Sequence, residues 1–393
     1  MIKDSHYIDI ANHSLNKFGE ELCGDKVEIF KSKDRTIVVL ADGLGSGVKA
    51  NILATLTTKI MITMLENGAD IKEIIETIIS TLPVCHVRRI AYSTFSIIEI
   101  DDSLNCRVIE FDNPPVFICR GHRIFEPKKE TLVIGGKNVK ISEFPLQLGD
   151  EITICSDGVI HAGVGYILNH GWEWHHVAEF LTKQKVHSAE KLNRRLIETC
   201  GKLYGDRPGD DTTAVTVKIR RPEKVQVFTG PPEDPALDRA FVQSFMKSRG
   251  KKVVCGGTAA NIMARELRCE IETDLDYIDP KVPPIARMKG LDLVTEGVLT
   301  LKMALNQLRE IENSCLEPVF NKEDGVSKLL KIFFEESTHI HFWVGRAINP
   351  AHQNPDFPNE LSIKINIVKD IVKQLHSMGK IVTLEYMVED TGR

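Results

Sequence analysis

Short apolar runs alternate with longer amphipathic stretches along the first 220 residues. The β-branched runs predict strands at 6–12, 26–31, 36–41, 92–101, 105–112, 116–120, 151–155 and 213–220. Apolar positions at helical spacing predict helices at 46–66, 71–80, 172–183 and 187–204. Because several strands follow one another and the helices come in pairs, we expect sheets that pack on each other and are flanked by helices, not a doubly wound parallel sheet.

A regular alternation of strand and helix begins after residue 221. Arg220-Arg221-Pro222 marks the boundary, because Pro222 breaks the preceding strand. The sequence therefore predicts two domains, 1–221 and 222–393. Strands are predicted in the second domain at 225–228, 252–255, 339–345 and 380–387, and helices at 235–248, 259–268, 296–311, 324–335 and 360–378. This order predicts a three-layer α/β domain with a parallel or mixed sheet.

Composition narrows the class of protein. The net charge of −5 and the absence of Lys/Arg runs argue against nucleic acid or an anionic membrane as the main partner. Nine cysteines without a CxxC pair indicate reduced thiols. The N-terminus has no apolar signal core, and no stretch is expected to approach membrane-spanning length. These features predict a soluble, cytoplasmic protein.

Four acidic segments in the first domain carry the candidate chemistry. They read Cys-Gly-Asp at 23–25, Ala-Asp-Gly-Leu-Gly-Ser-Gly at 41–47, Cys-Ser-Asp-Gly at 155–158 and Gly-Asp-Asp-Thr-Thr at 209–213. Each places Asp and Gly at a predicted strand end, with no His/Cys ligand set nearby. Converging carboxylates of this kind suit Mg²⁺ or Mn²⁺. Asp-Gly is also a common turn dipeptide, but four segments in order favour a metal site.

These segments, in this order, resemble the metal-dependent protein Ser/Thr phosphatases of the 2C (PPM) class, and more closely their bacterial sporulation-stage-II-E branch. Asp-Gly-Leu-Gly-Ser-Gly-Val-Lys-Ala at 42–50 is similar to that branch's DG(M/L)GxGxxA signature, and Asn113-Pro114-Pro115 also fits its pattern. The resemblance covers about residues 1–221. It implies a four-layer α–β–β–α sandwich with a two-metal site at one edge of the sheets.

The resemblance also implies roles for individual residues. Asp42 would bridge two Mn²⁺ or Mg²⁺ ions, and Asp211 would orient the site from behind the ligands. Two ions lower the pKa of a water and neutralise phosphoryl charge, so no Ser, Cys or His nucleophile is needed. We interpret Cys23 and Cys155 as packing residues. The implied ligands are Asp25, Asp42, Asp157, Asp210 and the carbonyl of Gly43.

Two departures from the wider class stand out. Leu44 occupies the position where many eukaryotic relatives have a His proposed as general acid, which leaves the leaving-group acid unassigned. Eukaryotic relatives bind phosphate with an N-terminal Arg, whereas the nearest basic residue upstream of Asp25 is Lys17. Lys17 is either a phosphate ligand or a solvated turn lysine.

The helices at 46–66 and 71–80 directly follow Asp42. In the resembled branch this pair acts as a switch that decides whether metal binds productively, so we expect weak basal activity that a partner or ligand raises. Plain core packing is the alternative, and both can hold. The expected apolar stripe of the first helix is Val48, Ile52, Leu53, Leu56, Ile60, Met64 and Leu65.

The second domain offers two weaker candidates. Gly256-Gly257-Thr258 at a strand-to-helix junction could bind an anion, although a tight turn is the simpler interpretation. Thr229-Gly230-Pro231 would face the same crevice if the two preceding strands are neighbours. His339 and His341 share a strand face and could bind a metal with His352, but separately satisfied histidines are favoured. Arg346 could meet an anionic ligand or partner.

The leading hypothesis is a Mn²⁺/Mg²⁺-dependent protein Ser/Thr phosphatase regulated through its C-terminal domain. Relatives often act on phosphorylated anti-sigma-factor antagonists, so a similar regulatory phosphoprotein is the expected substrate. A small molecule or nucleotide is the expected effector, and a homodimer is plausible. One alternative is a catalytically silent scaffold. Another is a metabolite-binding C-terminal module with the phosphatase as its output.

Overall fold

The computed structural model describes residues 6–81, 93–273, 283–312, 322–347 and 360–387, together with 314, 316, 318 and 320. The chain divides into two compact units, which separate between Arg220 and Arg221. Each unit has its own sheets and its own apolar clusters.

The first unit is built on two sheets. Its strands are β1 Tyr7–Leu15, β2 Asp25–Lys31, β3 Arg35–Gly43, β4 Ser93–Asp101, β5 Asn105–Phe111, β6 Phe117–Arg120, β7 Arg123–Ile124, β8 Lys129–Ile134, β9 Lys137–Pro145, β10 Glu151–Cys155 and β11 Thr212–Arg220. One sheet has the order β2-β3-β4-β5-β9-β8 and is antiparallel throughout. The other has the order β1-β11-β10-β6-β7.

Alternation along each strand divides the apolar residues between the two faces of the sheet. In β3, Val38 and Leu40 belong to a cluster shared with the second sheet, whereas Ile37 and Val39 belong to a cluster shared with helices. The helices of this unit are α1 Gly47–Glu66, α2 Ile71–Thr81, α3 Asp157–Ile160, α4 Trp174–Lys183 and α5 Ala189–Leu203. Helices α1 and α2 cover the outer face of the first sheet, and α4 and α5 cover that of the second.

Most predicted elements of this unit have a counterpart, but the hairpin β8–β9 was not predicted. Five of the six residues of β8 are exposed, so its sequence lacks the apolar alternation of a half-buried strand. The expected apolar stripe of α1 is confirmed only in part: Leu53 and Leu65 are buried, and Ile60 and Met64 pack against the cluster shared with the sheet. Val48, Ile52 and Leu56 are 60%, 53% and 47% exposed, while small residues such as Ala50 and Ala54 are buried. Small side chains let the helix lie close to the sheet.

Helix α1 also corrects the expectation about membrane-spanning length. It has 20 residues and a mean hydropathy of 1.2 in its most apolar window, which is enough to cross a membrane by length and composition alone. Within the structure, 44% of that window is buried, and Leu53, Ala54 and Met61 contribute to this buried face.

The second unit contains one seven-stranded sheet. Its strands are β12 Lys224–Thr229, β13 Lys251–Cys255, β14 Glu272–Thr273, β15 Ala286–Arg287, β16 Leu293–Thr295, β17 His339–Gly345 and β18 Ile381–Met387, in the order β14-β15-β16-β13-β12-β17-β18. The five neighbouring strands β16, β13, β12, β17 and β18 are all parallel. At the other edge, β15 pairs antiparallel with both β14 and β16. The sheet is therefore mixed.

Helices pack on both faces of this sheet. They are α6 Asp238–Lys247, α7 Gly257–Leu267, α8 Val298–Glu312, α9 Gly325–Phe334 and α10 Glu360–Ser377, and the 3₁₀ turn Pro235–Leu237 precedes α6. Helices α8, α9 and α10 share one apolar cluster with the sheet, and α6 and α7 share the other. The strands β14, β15 and β16 were not predicted, because two or three residues are too few to show a period.

Candidate functional site

Antiparallel pairing of β2 and β3 brings the first two acidic segments together. Asp25 at the start of β2 lies directly opposite Asp42 near the end of β3. The N–H of Gly43 donates a hydrogen bond to the carbonyl of Gly24 over 3.2 Å. The β2–β3 register therefore fixes the spacing of these two carboxylates.

The other two segments meet at the ends of β10 and β11. Cys155 pairs with Ala214 across these strands, and Asp157 opens α3 immediately beyond β10. Two hydrogen bonds join Ser156 and Thr213. The N–H of Ser156 donates to the carbonyl of Thr213, and the N–H of Thr213 donates to Oγ of Ser156, each over 2.9 Å. These two bonds hold Asp157 close to the segment that contains Asp210 and Asp211.

Electrostatics show that the carboxylates of all four segments influence one another. Burial raises the pKa of Asp42 to about 9, and repulsion from Asp25, Asp157, Asp210 and Asp211 adds to the shift. Burial likewise raises the pKa of Asp25 to about 7. The pKa of Asp157 is raised by burial and by the charge of Asp210. The cluster therefore holds more negative charge than its own surroundings stabilise.

Several oxygens of this cluster are buried without a hydrogen-bond partner among the described residues. They are both carboxylate oxygens of Asp25 and Oδ2 of Asp211, and each residue is only 4% exposed. The hydroxyls of Ser156 and Thr213 lie close enough to Asp25 to lower its pKa, but neither makes a hydrogen bond of ordinary geometry with it. A buried charge without a partner is costly, so native proteins pair it or bind it to a metal. Hard oxygen donors of this type fit Mg²⁺ or Mn²⁺, and the donor set is therefore compatible with the ions that the sequence predicts.

Two glycines of the acidic segments allow close backbone approach. A Cβ on Gly43 would lie 2.1 Å from the carbonyl oxygen of Ala50, and one on Gly158 would lie 2.2 Å from that of Asp211. A side chain at either position would push apart the elements that carry the carboxylates. The glycine beside Asp42 and the glycine beside Asp157 are thus required by packing.

Lys17 lies at the edge of this cluster. Its backbone N–H donates to Oδ1 of Asp211 over 3.0 Å, and its Nζ is 3.8 Å from Oδ1 of Asp210. The lysine side chain is 37% exposed, so it can still contact a bound molecule. This position is compatible with the phosphate-ligand hypothesis, which the kinetic constants of a Lys17 variant can test.

A hydroxyl and amide network that the sequence did not reveal supports Asp42. Ser93 donates to the carbonyl of Asp42 over 2.8 Å, and Thr94 lies opposite Asp42 in the β3–β4 register. Thr94 also donates to the Asn113 side chain, whose Nδ2 donates to Ser96 over 3.2 Å. The Asn-Pro-Pro motif was the only signal that pointed to this network.

Cys23 and Cys155 behave as packing residues beside the cluster. Burial raises the pKa of Cys23 to about 12 and that of Cys155 well above its ordinary range. Both thiols therefore stay protonated at neutral pH and are poor nucleophiles.

A second group of metal-ligand types lies on the surface of the same unit. Among the described residues, only Glu173, His175 and His176 bring three potential ligand atoms within 4.8 Å of one another, and all three side chains are exposed. The described aspartates of the cluster do not bring three ligand atoms within this distance of one another. No motif in the sequence singled out the exposed group.

The candidates of the second unit follow the carboxyl ends of its central strands. Strands β12 and β13 are parallel neighbours, so Thr229-Gly230 and Gly256-Gly257 follow adjacent strand ends. Gly256 has a φ of +122°, and Gly257 and Thr258 are the first residues of α7. Arg346 follows β17.

The two described histidines of β17 have separate partners. His341 lies 2.6 Å from the hydroxyl of Thr383 and 3.2 Å from a carboxylate oxygen of Glu385, and His339 lies 2.8 Å from the hydroxyl of Thr338. This arrangement fits the interpretation as separately satisfied side chains. His352, the third predicted member of the group, lies outside the described residues.

Comparison with known proteins finds relatives of the first unit. The family model described as stage II sporulation protein E (SpoIIE) matches residues 32–220. Stage II sporulation protein E of Bacillus subtilis (strain 168) is 30% identical over 211 residues, which are 52% of this chain and 24% of that protein. The chain therefore spans about a quarter of the length of this curated relative.

Solved structures similar to this chain include two of SpoIIE from Bacillus subtilis. Its phosphatase domain in a crystal form without domain swapping has 24% identity and a TM-score of 0.43, covering 56% of this chain and 94% of that chain. Its PP2C phosphatase domain with a fragment of the regulatory domain has 24% identity and a TM-score of 0.48, covering 55% and 63%. RsbX in complex with magnesium has 22% identity and a TM-score of 0.40, covering 55% and 96%.

Proposed function

Because residues 32–220 belong to the stage II sporulation protein E family of PP2C-type phosphatases, we propose that this chain is a Mn²⁺- or Mg²⁺-dependent protein Ser/Thr phosphatase. The family resemblance that the acidic segments indicated is confirmed. The observation that carries the proposed activity is the convergence of those segments into a cluster with buried, unpartnered carboxylate oxygens. The packing of helices, two sheets and helices supports assigning the four-layer α–β–β–α sandwich.

The aspartate cluster provides the ligands in this proposal. Asp42, Asp25, Asp157 and Asp210, together with the carbonyl of Gly43, would hold two divalent ions. When bound, two such ions neutralise phosphoryl charge and lower the pKa of an attacking water. Phosphate monoesters are hydrolysed very slowly without catalysis because the barrier is high, and this electrostatic stabilisation would be the main means of lowering it.

Other residues of the chain position this cluster and the substrate. Ser93 fixes the backbone of Asp42 through its hydrogen bond to the carbonyl, which helps to hold the Asp42 carboxylate at the cluster. Asp211, held by the N–H of Lys17, orients the site from behind the ligands. The ammonium of Lys17 binds a phosphoryl oxygen of the substrate, which places the phosphorus close to the cluster.

The role of Lys17 has a direct kinetic test. Lys17→Ala removes one charge-assisted contact and should lower kcat/KM for a phosphopeptide by about 10- to 100-fold, since such a contact contributes about 1.5–3 kcal/mol. Lys33→Ala, an exposed lysine in the β2–β3 turn, is the matched control and should leave both constants unchanged. Equal kcat and KM for Lys17→Ala and the wild type would remove Lys17 from the mechanism.

Substrate and regulation follow from the same family assignment. We assign a phosphorylated regulatory protein, similar to an anti-sigma-factor antagonist, as the substrate. Basal activity is weak and rises when a partner or ligand acts on α1 and α2, and the second unit receives a small-molecule or nucleotide signal. The seven cysteines within the described residues are all free, which supports a reducing, cytoplasmic location. A homodimer through the α1–α2 region is part of the proposal.

Hydrolysis of p-nitrophenyl phosphate and of a phosphopeptide with Mn²⁺, with Mg²⁺ or with EDTA tests the activity. Wild type is compared with Asp42→Ala and Asp157→Ala, and Asp34→Ala in an exposed turn is the control. Turnover that needs metal and is lost only in the two cluster variants supports the phosphatase. Metal binding without turnover indicates a site held inactive until an activator is present. Neither metal binding nor turnover would leave the silent scaffold as the better explanation.

A further inference from the structure

The sheet of the second unit reverses its chain order between β12 and β17. Connections from β12 lead through β13 to β16 on one side, and the connection from β17 leads to β18 on the other. The carboxyl ends of β12 and β17 are therefore neighbours, and the residues directly after them stay in contact, since the N–H of Ala347 donates to the carbonyl of Pro231 over 3.1 Å. In open α/β sheets this reversal leaves a crevice outside the strand ends, where ligands are commonly bound.

Lys364, near the start of α10, places its ammonium in this region. A Cβ on Gly230, the residue after β12, would lie 2.0 Å from Lys364 Nζ, so the ammonium takes the space that a side chain would fill. Gly230 also has a φ of +77°. Burial lowers the pKa of Lys364, and neither a carboxylate nor another hydrogen-bond acceptor pairs with its ammonium among the described residues. An unpaired, largely buried ammonium is costly to keep.

Thr229 supplies a second polar group on the same side of the sheet. Its side chain is fully buried, and its Oγ1 has no hydrogen-bond partner among the described residues. In the strand register it lies beside Cys255 and Val344, which both belong to the apolar cluster shared with α10. The hydroxyl therefore faces the α10 side, directly before the glycine that Lys364 contacts.

The neighbouring helices make this edge of the sheet electropositive. Arg309 of α8 binds Asp370 of α10 over 2.8 Å, and one turn later Glu312 binds Gln374, so the helices run parallel with their N-termini at the same edge. The carboxylate of Glu296 accepts hydrogen bonds from the first-turn N–H groups of Leu299 and Thr300. The N-terminus of α8 is thus already satisfied, and the position for an anion lies at the α10 end.

Arg346 adds a second cation beyond the end of β17. Its guanidinium lies 5.6 Å from the ring centre of Tyr386 and only 3.7 Å from a carboxylate oxygen of Glu233, and both charged side chains are about half exposed. An exposed ion pair of this length contributes little. Arg346 can therefore turn toward a bound anion at small cost.

We propose that the region outside the carboxyl ends of β12 and β17, on the side of α10, binds the anionic group, phosphate or carboxylate, of a small molecule. Lys364 pairs with the anion, Thr229 donates a hydrogen bond from its hydroxyl, and the missing side chain of Gly230 leaves the space in which the Lys364 ammonium lies. This site is separate from the aspartate cluster, and its existence does not depend on the phosphatase activity.

Calorimetric titration of the full chain tests the proposal. The protein is first freed of metal on a chelating resin, so that phosphate is not held by metal ions at the aspartate cluster. Inorganic phosphate and succinate are the probes for the two possible anions, and sodium chloride at equal ionic strength is the reference. We expect saturable binding of at least one probe. Lys364→Met should weaken it by tenfold or more, the loss of one charge-assisted contact, and Thr229→Val should weaken it several-fold.

Two further measurements separate binding from structure. Lys369→Met removes an exposed lysine of the same helix and should bind as the wild type does. Without a probe, Lys364→Met should raise the unfolding midpoint, because an unpaired buried ammonium is lost. No binding beyond the chloride reference, equal binding by Lys364→Met, or a lower midpoint for that variant would each overturn the proposal.

Discussion

Asp25→Asn should stabilise the metal-free protein while removing its response to metal. Asp25 is 4% exposed, and its two carboxylate oxygens make no hydrogen bond of ordinary geometry among the described residues, although the nearby hydroxyls of Ser156 and Thr213 favour the charged form. Its pKa is raised from an ordinary value of 3.8 to about 7, chiefly by burial. The asparagine keeps the shape of the side chain and removes the charge, so the substitution removes the cost of a buried, unpaired carboxylate.

The magnitude follows from linkage. Because the folded-state pKa lies above the unfolded-state value, the native state binds the proton more tightly, and stability falls as pH rises from about 4 through 7. Three pKa units at about 1.36 kcal/mol each give an upper bound of about 4 kcal/mol at pH 8. We therefore expect a gain of about 2–4 kcal/mol at pH 8 and less than half of it at pH 5.

Urea unfolding followed by tryptophan fluorescence measures this gain. Trp172 and Trp174 lie in the first unit, so a Trp343→Phe background restricts the signal to that unit. Asp34→Asn in the exposed β2–β3 turn is the control and should change nothing. Mn²⁺ should stabilise the wild type and leave Asp25→Asn almost unaffected. A variant that is equal to or less stable than the wild type at pH 8 without metal would refute the reasoning.

Three further substitutions test the packing around the site. Gly43→Ala puts a Cβ 2.1 Å from a main-chain oxygen of α1 and should lower the unfolding free energy by about 1–3 kcal/mol. The control is Gly201→Ala in α5, whose new Cβ meets its nearest atom at 3.6 Å; it should lower the unfolding free energy little or raise it. Urea unfolding midpoints compare the two variants. Asp9→Asn weakens a charge-assisted hydrogen bond to the buried Arg220 and should lower the unfolding free energy by about 1–3 kcal/mol in the same assay. Asn113→Ala removes the hydrogen bonds to the side chains of Thr94 and Ser96 in β4, beside the cluster, and should lower kcat more than it raises KM. An unchanged kcat would contradict a positioning role for Asn113.

Local pattern determined the types of most elements and the acidic segments that indicate the family resemblance. A strand's period of two and a helix's period of 3.6 depend only on which residues are buried, so they are visible in the sequence alone. The same reasoning failed for the exposed strand β8 and for the exposed residues Val48, Ile52 and Leu56 of α1. Apolar residues lie on two faces of that helix, and the sequence cannot show which face the sheet covers.

Spatial neighbours were decided only by the tertiary structure. The sequence predicted carboxylates at strand ends, but the β2–β3 register puts Asp25 opposite Asp42, and Lys17 reaches Asp210 across 193 positions of chain. Nothing local distinguishes Lys364 from other helix lysines; its significance comes from the adjacency of β12 and β17, which lie more than 100 residues apart. Strand order is set by the burial of whole faces, a property of the complete chain. The sequence by itself therefore determined the chemistry that is present, and the fold determined which groups meet.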